Sequence, residues 1–301
     1  MVYSLIDVLV SGATGLIMFG IGISIAITDF KNIFVWPKAI TVCLVSQMLA
    51  LPLIAFLIAY YAPISPAFKV GLVILAASPG GATSGFITYL LKGHVALSVT
   101  LTSINSFLTL ISIPLIVNIA LQVFMGESKE IELPILDSVL QIFLITILPT
   151  LAGIAFRHFN EDLAKKIDKV LKFVMIFLLL IVFLIKAFAS QENGGVDFIK
   201  SDFYNILPYA LLLNFSCLFF GYLFLWIFKL PHNTRITASI ESGVHNTPLA
   251  ILIAGTLLAN QEMVKPILLY ALFSFWTSFI FGYLLNVLNE KVFKKFIAKT
   301  Q

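Results

Sequence analysis

The 301 residues are 60% hydrophobic and 13% aromatic but only 11% charged, with a mean hydropathy of +1.03. Soluble domains carry roughly 25% charged residues, so most of this chain is solvated by something other than water. A net charge of +4 with no basic, aromatic-interleaved patch argues against a nucleic-acid partner, and Cys43 and Cys217, each alone in an apolar stretch, argue against a disulfide framework or a thiolate metal site.

A bilayer core of about 30 Å needs about 20 apolar residues per helix. Nine stretches reach that length: 5–27, 38–61, 68–91, 95–123, 135–157, 169–190, 204–229, 236–259 and 264–289. The first begins MVYSLIDVLVSG, with no basic region and no small-residue cleavage site. Its apolar run is too long for a signal-peptide core, so it reads as a retained span. In the second, Gln47 stands nearly alone among apolar residues.

The third span carries SPGGATSG, residues 78–85, near its middle. Pro79 removes an amide donor and clashes with the preceding turn, while Gly80 and Gly81 ease non-helical geometry. The helix is therefore expected to stop near Ser78 and restart near Ala82 or Thr83. In the fourth span Ser98, Thr102, Asn105 and Thr109 are spaced by four, three and four, which places them on one helix face.

Connections are short except at 124–134 and 191–203, which read as polar or acidic turns, and in the basic run 157–172. There Leu163, Ile167, Val170 and Leu171 recur at helical spacing between lysines. Asn160 can cap the run, and Glu161 and Asp162 suit its positive end. A short helix in the headgroup plane is expected, and the tail KVFKKFIAKTQ reads the same way.

The eighth span is interrupted by ESGVHNTP, residues 241–248. Gly243 loosens the chain, Pro248 fits the first turn of a restarted half-helix, and Asn246 or Thr247 can cap it. Glu241 is an acid several residues inside this span, where an ionised carboxylate costs about 2.5–3.5 kcal/mol. Such a group is protonated, paired or bound to a cation.

Cationic residues accumulate in cytoplasmic loops. With the N-terminus outside and the C-terminus inside, 14 of the 19 lysines and arginines fall on the cytoplasmic side. The setting is a lipid bilayer, read as a bacterial inner membrane. The third and eighth spans then run in opposite directions, so their breaks are related by inversion, as in inverted-repeat transporters.

Unwound backbone at membrane depth exposes carbonyl ends that favour a cation and amide ends that favour an anion. Hydroxyl and amide oxygens with one carboxylate are the ligands of a hard monovalent cation. Glycine, proline and hydroxyl stripes also serve packing; two inverted breaks beside a buried acid favour the ion reading.

These pieces resemble one family. IMFGIGISIAITDF in the first span, SQMLALP in the second, SPGGATSGFITYLLKGHVALSVTLT across the third and fourth and ESGVHNTPLA in the eighth are similar to the bile acid:sodium symporter family, over nearly the whole chain. The helix count looks like that of its nine-span members.

The resemblance implies an all-α membrane protein, a single transporter domain over 1–301 with repeats at 5–123 and 135–289. It implies a panel of spans 1, 5 and 6 rocking against a core of spans 2–4 and 7–9. It further implies sodium-driven import of an organic anion, bile-acid-like or a small carboxylate such as pantoate, with no obligatory protein partner. One sodium ion is expected at Ser84, Gly85, Ser98, Thr102 and Glu241. A second is expected at Glu241, the backbone of Ser242 and Val244, and the side chains of Gln47 and His245. The anion is expected beside Ala82, Thr83, Asn246 and Thr247.

Two positions depart from the family pattern, which has Asn at Gly85 and Gln at His245. Asn105, water or a backbone carbonyl can substitute for the first missing oxygen. His245 offers sodium only a nitrogen when neutral and repels it when protonated, so replacement of the second sodium by a proton stays open. A proton-coupled anion transporter and a sodium/proton-type exchanger on a related fold are also compatible with the residues. An intramembrane enzyme using Glu241 and His245 is a weaker reading. It lacks any H-E-x-x-H motif or carboxylate pair, and the chain is expected not to be an enzyme. A passive channel needs a continuous polar lining, whereas polarity here gathers at two breaks.

Overall fold

A computed structural model describes residues 5–126, 135–188 and 195–300, so most of 124–134 and part of 191–203 lie outside the described residues. Among the described residues the chain is helical, with no strand beyond one isolated bridge.

Helix α1 (Leu5–Ser24) ends at a 3₁₀ turn and the short α2 (Asn32–Val35). The next span joins α3 (Pro37–Val45) to α4 (Leu51–Tyr61) through a π turn, Ser46–Ala50. Pro52 lies just past that turn. Widening the coil ahead of a proline relieves its clash with the preceding carbonyls, and Gln47 sits on the widened turn. The same pattern recurs in the fifth span, where α8 (Ile135–Ile142), the π turn Phe143–Ile147 and α9 (Leu148–Phe159) precede and include Pro149.

Both expected breaks are present. α5 (Pro66–Ala77) starts with Ser65 accepting from Phe68 N–H at 3.3 Å and with Pro66 at its first position. It stops at Ser78, and α6 (Ala82–Leu90) restarts the chain. α7 (Val95–Met125) follows unbroken, and α10 (Glu161–Phe188) and α11 (Lys200–Ile227) lead to α12 (His232–Gly243). α13 (Thr247–Ile251) resumes the eighth span and continues as a π segment, Leu252–Leu257, and α14 (Gln261–Thr300) closes the chain. Among the described residues six continuous helices are long and apolar enough to cross a membrane, and bent α10 makes a seventh. The α5–α6 and α12–α13 pairs supply the two remaining stretches.

The short helix expected over the basic run is present as a segment bent from the sixth span and continuous with it. It forms the first turns of α10, which bends by 49° between 161–168 and 173–188 but does not end. No glycine or proline lies between Glu161 and Phe188 to stop it. The tail likewise continues α14 without interruption. Glu161 pairs with Lys165 at 2.8 Å on the exposed face of α10, and this ammonium holds the Glu161 carboxyl below its ordinary range.

α1 packs on α9 and α10, whereas α11 packs on α12 and α14, and α5 on α7 and α14. Thr150 Oγ1 donates to Met18 O at 3.3 Å, and Arg157 donates to Ile23 O and Ser24 O, tying α9 to α1. Where α1 and α10 meet the end of the eighth span, Lys186 is fully buried. Its Nζ lies 3.4 Å from Asp7 Oδ1 and 3.3 Å from Gln261 Oε1, and Thr256 Oγ1 lies 3.5 Å from the same Asp7 oxygen.

Candidate functional site

The two breaks cross. Gly81 N–H donates to Val244 O at 2.9 Å and Asn246 N–H donates to Pro79 O at 2.8 Å, pairing Gly80 with His245 in one antiparallel bridge. Each break thereby satisfies part of the other's unwound backbone, which no lipid could do. The approach is close enough to require glycine. A methyl group on Gly80 would run into Glu241 Oε2, and one on Gly81 would lie 2.7 Å from His245 O.

Glu241, 1% exposed, stands at this crossing. Its Oε1 accepts from Ser84 Oγ at 2.5 Å and from Ser98 Oγ, and its Oε2 accepts from Thr102 Oγ1 at 2.9 Å. Three hydroxyls from α6 and α7 thus converge on one carboxylate from α12. Gly85 faces the same place: a β-carbon there would sit 3.6 Å from Ser98 Oγ, in ordinary contact.

On the other side of Glu241 a narrow cleft is lined by Gln47, Met48, Leu51, Ala76, Ser78, Gly80, Asn105, Glu241 and His245. Asn105 donates to Gln47 Oε1, which joins the fourth span to the π turn of the second. His245 Nδ1 lies 3.3 Å from Ser78 O. A carbonyl can only accept, so Nδ1 carries the proton and Nε2 presents a lone pair. Gln47 Nε2, Asn105 Oδ1 and His245 Nε2 are buried and have no hydrogen-bond partner among the described residues.

The structure therefore brings Gln47, Ser84, Ser98, Thr102, Glu241 and His245 to one locus, with Gly85 beside them. Val244 contributes its carbonyl to the crossing, and the Ser242 side chain turns toward Gly221 of α11. Thr109 stays apart, bonding Ser106 O within its own helix.

The restarted half-helices are not equivalent: the cap expected at Asn246 is present on α13, so amide ends are not exposed alike at both. At α13, Asn246 Oδ1 accepts from Leu249 N–H at 3.2 Å, Thr247 N–H bonds His245 O at 2.9 Å, and Pro248 has no N–H to offer. At α6, which opens at Ala82 and Thr83, the N-cap is Gly81 and supplies no side-chain oxygen. The uncapped positive end is that of α6. Asn246 contributes a different donor. Its buried Nδ2 meets Met18 Sδ at 3.8 Å, a weak acceptor.

Three residues of this neighbourhood escaped the sequence reading. Tyr270 OH and Asn214 Nδ2 both donate to Gly243 O, at 2.8 and 2.9 Å, and Thr277 Oγ1 donates to Asn214 Oδ1 at 2.6 Å. The signal that could have found them was Asn214 itself, an amide alone in the apolar run LLLNF.

The model of the family described as Sodium Bile acid symporter family matches residues 13–192. An uncharacterized sodium-dependent transporter, YocS, of Bacillus subtilis is 25% identical over 283 residues, covering 93% of this chain and 83% of its own length. The hepatic sodium/bile acid cotransporter of Rattus norvegicus is 26% identical over 259 residues, 85% of this chain and 69% of the relative. The chloroplastic protein named probable sodium/metabolite cotransporter BASS1, of Arabidopsis thaliana, is 28% identical over 83% of this chain, which spans 58% of that longer relative. The resemblance carried by the broken-helix motifs and the match over more than half of the chain agree: this integral, multi-pass membrane protein belongs to the sodium bile acid symporter family.

Proposed function

We propose that the chain is a secondary active transporter that couples sodium movement to import of a small organic anion by alternating access. The observation that carries this reading is the convergence of Ser84, Ser98 and Thr102 on the buried Glu241 carboxylate where two broken helices cross. A hard cation can be held by the same oxygens when the hydroxyls, keeping their protons, turn their lone pairs toward it beside the carboxylate. Gln47, Asn105 and His245 in the adjoining cleft are the side chains for a second ion. The anion belongs at the uncapped start of α6, near Ala82 and Thr83, with Asn246 and Thr247 across from it. The names of the relatives support sodium as the driving ion, and both bile acids and smaller metabolites as the substrate class.

Alternating access requires two bodies. The packing of α1 on α9 and α10 supports a panel of spans 1, 5 and 6, and that of α11 on α12 and α14 and of α5 on α7 and α14 supports a core, related internally as inverted repeats. The orientation is N-terminus out and C-terminus in, from the lysine and arginine distribution.

Proteoliposomes loaded with the purified protein test the reading. Labelled taurocholate and labelled pantoate are offered under an inward sodium gradient, with potassium replacing sodium as the control. Accumulation of either solute above its external concentration, only with sodium, is expected. Uptake without a sodium requirement, or equilibration without accumulation, sinks it. Glu241→Gln, reconstituted to the parent's level, is expected to lower sodium-driven uptake at least about tenfold, since a neutral amide cannot balance the ion.

The bare Nε2 of His245 favours one variation, in which a proton takes the second sodium's place. Uptake by the parent and by His245→Gln, measured across neutral pH with and without sodium, separates the cases. An identical sodium requirement in both proteins at every pH removes the proton.

A further inference from the structure

Resting on the sodium-coupled reading, the geometry points to Asn214, Tyr270 and Thr277 as positioning residues that set sodium affinity by fixing the Gly243–Val244 peptide at the break beside Glu241. Gly243 is the last residue of α12, and Val244 N–H closes the helix on Ile240 O at 3.0 Å. In an uninterrupted helix the Gly243 carbonyl would accept from residue 247, but Thr247 N–H goes to His245 O instead. The break therefore frees a carbonyl at the negative end of a helix, two residues from Glu241 and two from His245. Left to itself, that carbonyl would leave the peptide it belongs to free to turn.

It is not left to itself. Tyr270 OH and Asn214 Nδ2 fill both of its acceptor positions from α14 and α11. The network that does so has one consistent proton arrangement. The carbonyl accepts only, so the Asn214 end that faces it is the NH₂. Its second hydrogen goes to Tyr270 OH at 2.9 Å, and Oδ1 takes the Thr277 proton. Asn214 and Tyr270 are fully buried, and a satisfied buried network of this kind fixes one conformation.

Fixing the Gly243 carbonyl fixes the planar peptide it shares with Val244. That peptide directs the Val244 carbonyl to Gly81 and places the His245 ring, which packs against Tyr270 with centroids 5.6 Å apart. The clamp thus aims the Val244 carbonyl and the His245 ring, so that loosening it costs sodium affinity. None of its three residues needs to touch the ion.

The test uses the full chain in nanodiscs with sodium alone as the probe. NaCl is titrated against choline chloride at constant ionic strength, and the midpoint of the rise in unfolding temperature is read. Thr277→Val frees the Asn214 amide, and Tyr270→Phe removes one donor. Each is expected to raise the sodium midpoint about three- to tenfold, the range that one buried hydrogen bond spans. Thr277→Ser, which keeps the hydroxyl, is expected to match the parent. A role confined to packing would lower the sodium-free unfolding temperature and leave the midpoint where it was, and that result for Thr277→Val overturns the assignment. Should Tyr270→Phe not fold, the Thr277→Val and Thr277→Ser pair decides alone. A parent that shows no sodium response at all removes the coupled reading and this inference together, which is distinct from a responsive parent with indifferent variants.

Discussion

Glu241 shows how one residue constrains those around it. A carboxylate buried in the membrane must be matched atom by atom, and Ser84, Ser98 and Thr102 do so. The Ser98–Thr102 spacing made that face legible in the sequence, because residues four apart lie on one side of a helix. The role of Gly80 was only half legible. Pro79-Gly80-Gly81 announced a break, but the carboxylate resting against the Gly80 α-carbon is a contact between spans that no local pattern encodes. Gly80→Ala is expected to lower the unfolding temperature by several degrees, an overpacking cost of about 1–3 kcal/mol, and to abolish the sodium-induced rise. Gly12→Ala, with nothing within 4 Å of its added carbon, serves as the tolerated control in the same melting experiment. Gly85→Asn puts an amide oxygen next to Ser98, and the sodium midpoint is expected to fall about threefold as the cation gains a ligand. A rise instead would place that side chain outside the coordination sphere.

Among elements, the two broken helices were the most legible, since proline and glycine act through backbone chemistry that travels with the sequence. The Asn246 cap of α13 was legible as well, whereas the turn of Thr247 N–H back onto His245 O, which adds to the difference between the restarts, was decided by the fold. The π turns were hidden as well: SQMLA and FLITI read as ordinary apolar helix, and the prolines after them announce a disturbance without specifying its form. Lys186 is a contact between distant segments that no local pattern encodes: it is buried against Asp7 and Gln261. Taking away one member of a buried ion pair is costly, about 3–5 kcal/mol, whereas replacing both members by apolar groups is nearly neutral. Lys186→Met is therefore expected to melt well below the parent, and Lys186→Met with Asp7→Leu to recover most of the loss. Equal melting of the single and double variants would show that the pair contributes nothing as a pair.

At the scale of the molecule, composition alone placed the chain in a bilayer, and the apolar runs gave stretches that the helices follow to within a few residues at most ends. The basic helix of α10 is set at an angle to its span, and both it and the tail run on from their spans because nothing in those segments terminates a helix. The lysine and arginine distribution yields an expectation for the whole: green fluorescent protein fused after Gln301 should fluoresce, and alkaline phosphatase fused at the same point should be inactive, as cytoplasmic placement demands. The opposite pair of results reverses the orientation.

On the proposed transport cycle the protein must also return without cargo, and a naked carboxylate at membrane depth would stall it. The trio of hydroxyls around Glu241 supplies a remedy, because each can swing its proton toward the acid once a positive partner has departed. In that proposed cycle the same oxygens would hold the ion on the loaded stroke and shield the charge on the return, so turnover, more than binding, is where their loss would be felt.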